Sequence, residues 1–232
     1  MCPTDSSSRS RVSAPCLTFC FLLTIGWLPL SWAETPEPVL KLAVRTYNYA
    51  AVPGHTLLNA EQHAAEIFHR AGIELAWVDC PVSRGEIEKF PDCTQMTNDL
   101  RALTFKILPE SMAARYALPT TNLGVTIQHH ASFVFYDRVQ ELSNLKGLSE
   151  SVVLGHIIAH ELGHLVLGQG GHSDTGIMMD DLRVSDFQQA EKGRPLAFNP
   201  EQVLHMRMRL QEQIGTNPVS KVHPHQKLTS SP

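Results

Sequence analysis

The sequence predicts an α/β protein, because segments with the two-residue period of a β-strand alternate with segments that have the period of an α-helix. Leu40, Leu42 and Val44 alternate with polar or small residues and indicate a first strand. A helix is expected next, since apolar side chains recur at helical spacing over residues 60–71 before Gly72 stops it. The chain has 232 residues, of which 43% are hydrophobic and 18% charged, so one domain with a substantial core is expected.

Three further strands are expected along the chain. Residues 73–77 and 103–107 alternate apolar and other side chains, and the second of these segments stops at Pro109. The third is the aromatic and β-branched segment ASFVFYDRV, residues 131–139. Between the last two of these strands, residues 111–130 show no clear hydrophobic period and are predicted to form a long surface loop.

Two helices are expected in the second half of the chain. Residues 152–167 are strongly apolar, with Ser149 as a plausible N-cap, and predict a long helix. The last helix is indicated by Asn199 as its cap, Pro200 at its first position and Gln202 in a capping-box arrangement.

The N-terminus has the features of a secretory signal peptide. Arg9 and Arg11 precede an apolar run of 14 residues, 17–30, and Ser31 and Ala33 are small residues at the expected cleavage positions. The run is shorter than the roughly 20 residues that span a bilayer, so no stable membrane anchor is expected after cleavage. The sequence therefore predicts a secreted or periplasmic protein.

This cut divides the chain into a signal peptide (1–33), one domain (34–215) and a flexible tail (216–232). Three of the five cysteines leave with the signal, and only Cys80 and Cys93 remain. An even pair in an oxidising compartment predicts one disulfide. A thiolate metal ligand and two free thiols are the alternatives.

The predicted long helix contains the motif His160-Glu161-Leu162-Gly163-His164. Side chains four residues apart share one face of a helix, so both imidazoles can reach one ion. Glu161, between them, can approach a water on that ion without being a ligand. This spacing predicts a zinc site with Glu161 as the general base.

Zinc requires a third protein ligand, and the residues after the helix offer His172. The glycine-rich segment before His172 can fold the chain back toward the helix. Carboxylates are the alternative third ligand, from Asp174, Asp180 or Glu191. His156 is expected to pack or to support the site, because it lies about 12 Å of helix rise from His164.

The stretch HELGHLVLGQGGHSDTGIM resembles the active site of metzincin zinc metalloproteases, and it is closest to the matrixins. The family pattern is H-E-x-x-H-x-x-G-x-x-H followed by a methionine turn, whereas here seven residues separate the second and third histidines instead of five. The resemblance implies that His160, His164 and His172 are the zinc ligands and that Glu161 is the general base. It also implies that Gly168 is the loop glycine and Met178 the methionine of the turn. Met179 is an alternative for the turn.

The resemblance also implies a twisted mixed sheet, a long zinc-binding helix and a closing C-terminal helix. The sequence also resembles small, poorly characterised secreted bacterial metzincin-like proteins, which have a similar VFYDRV strand and methionine turn. The implied activity is zinc-dependent hydrolysis of peptide bonds in a peptide or protein substrate. In the family, the substrate lies extended along an edge strand, for which residues 131–139 are the candidate, with an ordinary core strand as the alternative.

Two other functions remain open at this point: a metzincin-like binding module that keeps zinc without turnover, and a zinc hydrolase that acts on something other than peptides. Nucleic acid is not an expected partner, because 19 basic against 23 acidic residues leave a net charge of −4. A monomer is expected.

Overall fold

The computed structural model describes residues 39–94, 102–127, 131–168 and 170–216. Its centre is a five-stranded sheet with the strand order β2-β1-β3-β5-β4. The four strands from β2 to β5 in that order are parallel, and β4 pairs antiparallel with β5 at one edge. The strands are β1 Leu40–Asn48, β2 Ile73–Cys80, β3 Ala102–Leu108, β4 Gly124–Ile127 and β5 Ala131–Phe135.

The helices cover and connect this sheet, so the predicted α/β class is confirmed. Long helices are α1 Gly54–Arg70, α5 Tyr136–Lys146, α6 Glu150–Leu167 and α8 Pro200–Thr216, and α7 spans Val184–Glu191. Three single turns are α2 Arg84–Ile87, α3 Pro91–Thr94 and α4 Glu110–Ala113, the last followed by a 3₁₀ turn over Ala114–Tyr116. Among the described residues, no helix is both long and apolar enough to span a bilayer.

Helix α6 lies in the middle of the protein, since 15 of its 18 residues are buried and most of those are apolar. A helix that is hydrophobic on every side is stable only when other elements surround it. Helix α1 packs directly on it at Gly155, where an added Cβ would lie 2.6 Å from the carbonyl oxygen of Ala60. The absence of a side chain there lets the two helix backbones approach closely.

Several predicted elements are confirmed. The first three strands, helix α1 and helix α6 lie where the sequence places them. Helix α8 begins with the predicted capping box: the Asn199 amide donates to Gln202 Oε1 at 3.0 Å, and the Gln202 amide donates to Asn199 Oδ1 at 2.8 Å. Cys80 and Cys93 form the predicted disulfide, with their Cα atoms 5.7 Å apart.

Two predictions in the middle of the chain are wrong. Residues 131–139 are not one strand, because β5 ends at Phe135 and α5 begins at Tyr136. Tyr136, Val139 and Ser143 are buried at helical spacing, so the apolar period changes from two to about 3.6 at this point. Residues 111–130 are not only a loop, since they contain the end of α4, the 3₁₀ turn and strand β4.

The sequence left open whether residues 131–139 contain an edge strand or an interior strand. β5 pairs with β3 on one side and β4 on the other, so it is an interior strand. β4 is the edge strand on this side. The proposed signal peptide, 1–33, and the tail after residue 216 lie outside the described residues.

Candidate metal centre

The structure brings together the three histidines that the sequence predicts as metal ligands. His160 and His164 lie one turn apart on α6, and their Nε2 atoms are 3.0 Å apart. His172 is added by the segment after α6, in which Gly168 and Gly170 have φ values of +86° and +76°. One ring nitrogen from each histidine lies within 4.8 Å of those of the other two.

Hydrogen bonds to two of these rings leave the right nitrogens free for a metal. His160 Nδ1 lies 2.8 Å from the carbonyl oxygen of Ile177, which can only accept, so the proton is on Nδ1 and the lone pair on Nε2. His172 Nδ1 lies 3.1 Å from the Asp180 carboxylate, which places the proton on Nδ1 and leaves the lone pair on Nε2. Metal-bound histidines commonly have such a partner on the second nitrogen.

Burial also favours the neutral imidazole, which is the form that binds a metal. It lowers the pKa of His160, and it lowers the pKa of His164 to about 3 with help from the neighbouring His160 and His172. Three neutral nitrogen donors around one point fit Zn²⁺, which prefers histidine ligands in tetrahedral sites. The donor set therefore fits the metal that the sequence predicts.

Glu161 lies beside the histidines with only 5% of its surface exposed. Its Oε2 accepts a hydrogen bond of 2.8 Å from the Thr126 hydroxyl of β4. Burial raises the pKa of this carboxyl to about 8, and the bond from Thr126 opposes that rise. Glu161 thus sits in an environment in which its carboxyl can exchange a proton near neutral pH.

The histidines and Glu161 line an open cleft of about 630 Å³. The edge strand β4, with the preceding residues 121–123, forms one wall. Residues 180–182, including Asp180 and Asp181, also line the cleft. A cleft of this size can hold several residues of an extended peptide.

Met178 is buried close to the histidines. Its Sδ lies where a Cβ on Gly163 would approach to 2.5 Å, so it packs against α6 between His160 and His164. The turn that carries it is closed by a bond of 2.9 Å from the Ser173 amide to the Met178 carbonyl. The alternative, Met179, is partly exposed.

The other sequence candidates lie apart from the ligand triad or support it. Asp180 contacts the outer nitrogen of His172 rather than replacing it. Glu191 accepts a hydrogen bond from the Ser149 amide, and Ser149 is about 16 Å of helix rise from His160. His156 is fully buried, with Nδ1 2.8 Å from the carbonyl oxygen of Val152, and is not part of the triad. Asp174 is exposed.

Sequence reasoning missed three residues beside Glu161. Thr126 and Gly124 lie on β4, and Ser132 lies opposite Thr126 on β5. Their position was not predictable, because β4 was assigned to a loop and has no clear strand period. The β-branched residues Val125, Thr126 and Ile127 were the available signal, and β-propensity is weak over so short a segment.

No protein-family model matches the chain, and no curated protein matches it significantly.

Proposed function

We propose that this protein is a secreted, zinc-dependent endopeptidase of the metzincin type. One observation carries the proposal: three histidine nitrogens converge within 4.8 Å beside the buried carboxyl of Glu161, in a cleft with an edge strand as its wall. Peptidases that use zinc need these parts: three ligands, a base and a place for an extended substrate. The resemblance of the motif to matrixins supports the same activity.

His160, His164 and His172 would hold the ion. The outer nitrogen of His160 contacts the Ile177 carbonyl oxygen, and that of His172 contacts the Asp180 carboxylate. When bound, Zn²⁺ supplies a Lewis acid that polarises a carbonyl group, acidifies water and favours the charged form of a nearby carboxyl. Glu161 takes a proton from the attacking water and then delivers it to the leaving amine. Met178 packs against Gly163, which lies between His160 and His164 on α6.

The edge strand β4 is the surface on which we place the substrate. Its outer edge has no neighbouring strand in the described part of the sheet, and residues 124–126 line the cleft. An extended peptide can add to such an edge through main-chain hydrogen bonds. The scissile bond of that peptide would then lie near Glu161, which contacts the same strand.

The first test is cleavage of a mixed peptide library, read by mass spectrometry, with zinc content measured on the same samples. We expect about one zinc per chain and cleavage that a chelator abolishes. Glu161→Gln should bind zinc normally and lose activity, whereas the exposed Glu201→Gln on α8 should behave as wild type. Cleavage retained in Glu161→Gln would refute the mechanism.

Two negative results would refute different parts of the proposal. A folded protein that takes up no zinc would refute the metal site. A zinc-loaded protein that cleaves no peptide would instead favour a binding module or a hydrolase with another substrate. Secretion is tested separately by N-terminal sequencing of the exported protein, which should begin at Glu34.

A further inference from the structure

We propose that Thr126 is a positioning residue that fixes the orientation of the Glu161 carboxyl, with Ser132 and Gly124 as the parts that make this possible. The catalytic consequence rests on the proposed function above. The orientation of the Glu161 carboxyl by Thr126 does not depend on that function, because it concerns only where the carboxyl group lies. All three residues belong to the β4–β5 pair, which faces α6 at the cleft.

Two hydroxyl groups converge on one helical residue. Thr126 and Ser132 are directly opposite each other in the antiparallel pair, and their Oγ atoms are 2.7 Å apart. Thr126 Oγ1 lies 2.8 Å from Glu161 Oε2 and 2.9 Å from the Glu161 carbonyl oxygen. Ser132 Oγ, which is fully buried, lies 2.8 Å from that same carbonyl oxygen.

A count of hydrogens gives the two hydroxyls different roles. Each hydroxyl has one proton to donate, and the carbonyl oxygen of Glu161 can only accept. Ser132 can satisfy this carbonyl, which leaves the Thr126 proton for Oε2 of the carboxyl. Since a hydroxyl both donates and accepts, Thr126 can hold Oε2 whether or not that oxygen carries a proton.

Gly124 leaves space for the other oxygen of the same carboxyl. It lies two residues before Thr126, on the same face of β4. A Cβ at this position would approach Glu161 Oε1 to 2.6 Å and Cγ to 2.8 Å. The strand therefore holds one oxygen through Thr126 and makes room for the other through Gly124, so the carboxyl has one favoured orientation.

This arrangement matters for a general base, because a misplacement of about 1 Å can lower a rate by ~10²-fold. The backbone pairing of β4 with β5 does not depend on the Thr126 hydroxyl. Removal of that hydroxyl should therefore release the carboxyl and leave the strand, the fold and the histidines in place. Valine has nearly the same shape as threonine and is the matched substitution.

The test compares wild type, Thr126→Val, Thr126→Ser and the same-strand control Ile127→Val, all loaded with zinc. Crystal structures of each should show Glu161 Oε2 within hydrogen-bond distance of residue 126 in wild type, the serine variant and the control. In Thr126→Val, we expect the carboxyl to rotate away. Zinc affinity should be the same in all four proteins.

Kinetic measurements on a peptide that wild type cleaves test the effect of the carboxyl orientation on catalysis. Thr126→Val should lower kcat by ~10–100-fold with KM changed less than ~3-fold, and Thr126→Ser should recover most of kcat. Ser132→Ala should give a smaller loss, because the Thr126 proton is then drawn to the Glu161 carbonyl. It also provides a second variant if Thr126→Val does not fold.

Three results would overturn the inference: an unmoved carboxyl in Thr126→Val, a rotated carboxyl with unchanged kcat, or a serine variant as impaired as the valine variant. If wild type cleaves no peptide at all, the proposed function fails. The crystal structures still decide whether Thr126 orients Glu161, so the two failures are distinguishable.

Discussion

Arg138 joins the start of α5 to the segment that leads into β4, and its loss should be costly. Only 6% of its side chain is exposed, and it pairs with both carboxylate oxygens of Glu110 at 2.8 and 2.9 Å. Its Nη1 donates to the carbonyl oxygens of Pro119 and Asn122 at 2.8 and 2.9 Å. We predict that Arg138→Met destabilises the protein by about 3 kcal/mol.

The magnitude follows from what each partner loses. Removal of one member of a fully buried ion pair costs ~3–5 kcal/mol, but the Glu110 side chain is 45% exposed and water can replace part of the contact. The two carbonyl oxygens lose a charged donor, and such bonds contribute ~1.5–3 kcal/mol each when nothing replaces them. Partial replacement by water leaves a total near 3 kcal/mol, a decrease of ~6–12 °C in Tm for a domain of this size.

The assay is urea denaturation followed by circular dichroism, with Arg115→Met as the matched control. Arg115 lies on the 3₁₀ turn and is exposed, so its replacement removes the same charge without a buried network. We expect the control to remain within ~0.5 kcal/mol of wild type. A loss below ~1 kcal/mol in Arg138→Met would show that this network does not anchor the segment.

Three further predictions concern the core and the metal. Burial, with a smaller effect of Asp79, raises the pKa of Glu61 from 4.5 to about 7. The unfolding free energy of wild type should therefore fall by ~3 kcal/mol from pH 4 to pH 8, compared with that of Glu61→Gln over the same range. Stability falls as the pH rises because the Glu61 carboxyl binds its proton more tightly in the native state than in the unfolded state. If the difference in urea midpoint between wild type and Glu61→Gln is the same at pH 4 and pH 8, the prediction is wrong. Gly155→Ala should lower the unfolding free energy by ~1–2 kcal/mol in the same assay, because the clash with the Ala60 carbonyl exceeds the gain in helix propensity. Zinc at 100 times its Kd should stabilise the protein by ~3 kcal/mol in thermal melts, reversed by a chelator, and an unchanged Tm would argue against the site.

The features that sequence predicted correctly depend on residues close together in the chain. The capping box of α8 is formed by Asn199 and Gln202, three residues apart. The His160–His164 pair needs only the geometry of one helical turn. The first β-α-β unit has clear apolar periods, and Gly72, whose φ is +72°, lies between its helix and its second strand. Local signals of this kind need no knowledge of the rest of the fold.

β4 could not be predicted, because what stabilises it is distant in sequence. It has four residues, three of them only partly buried, and β-propensity alone is weak over such a length. Its pairing with β5 and the Thr126 contacts to Glu161, 35 residues later, hold it in place. The strand order β3-β5-β4 could not be predicted for the same reason, since it is set by packing and not by a local pattern.

Helix α6 shows why the candidate site differs from the rest of the core. Ionisable side chains on a helix that is buried on every side are unfavourable unless each has a partner. His156 has the Val152 carbonyl from its own helix, His160 has Ile177 from the later turn, and Glu161 has Thr126 from β4. Three separate parts of the chain thus supply partners to one helix, and two of them meet at the cleft. His156 Nε2 is buried without a hydrogen-bond partner among the described residues. A purely hydrophobic helix would be simpler to fold, and the function proposed for the cleft accounts for the presence of His160 and Glu161 on it.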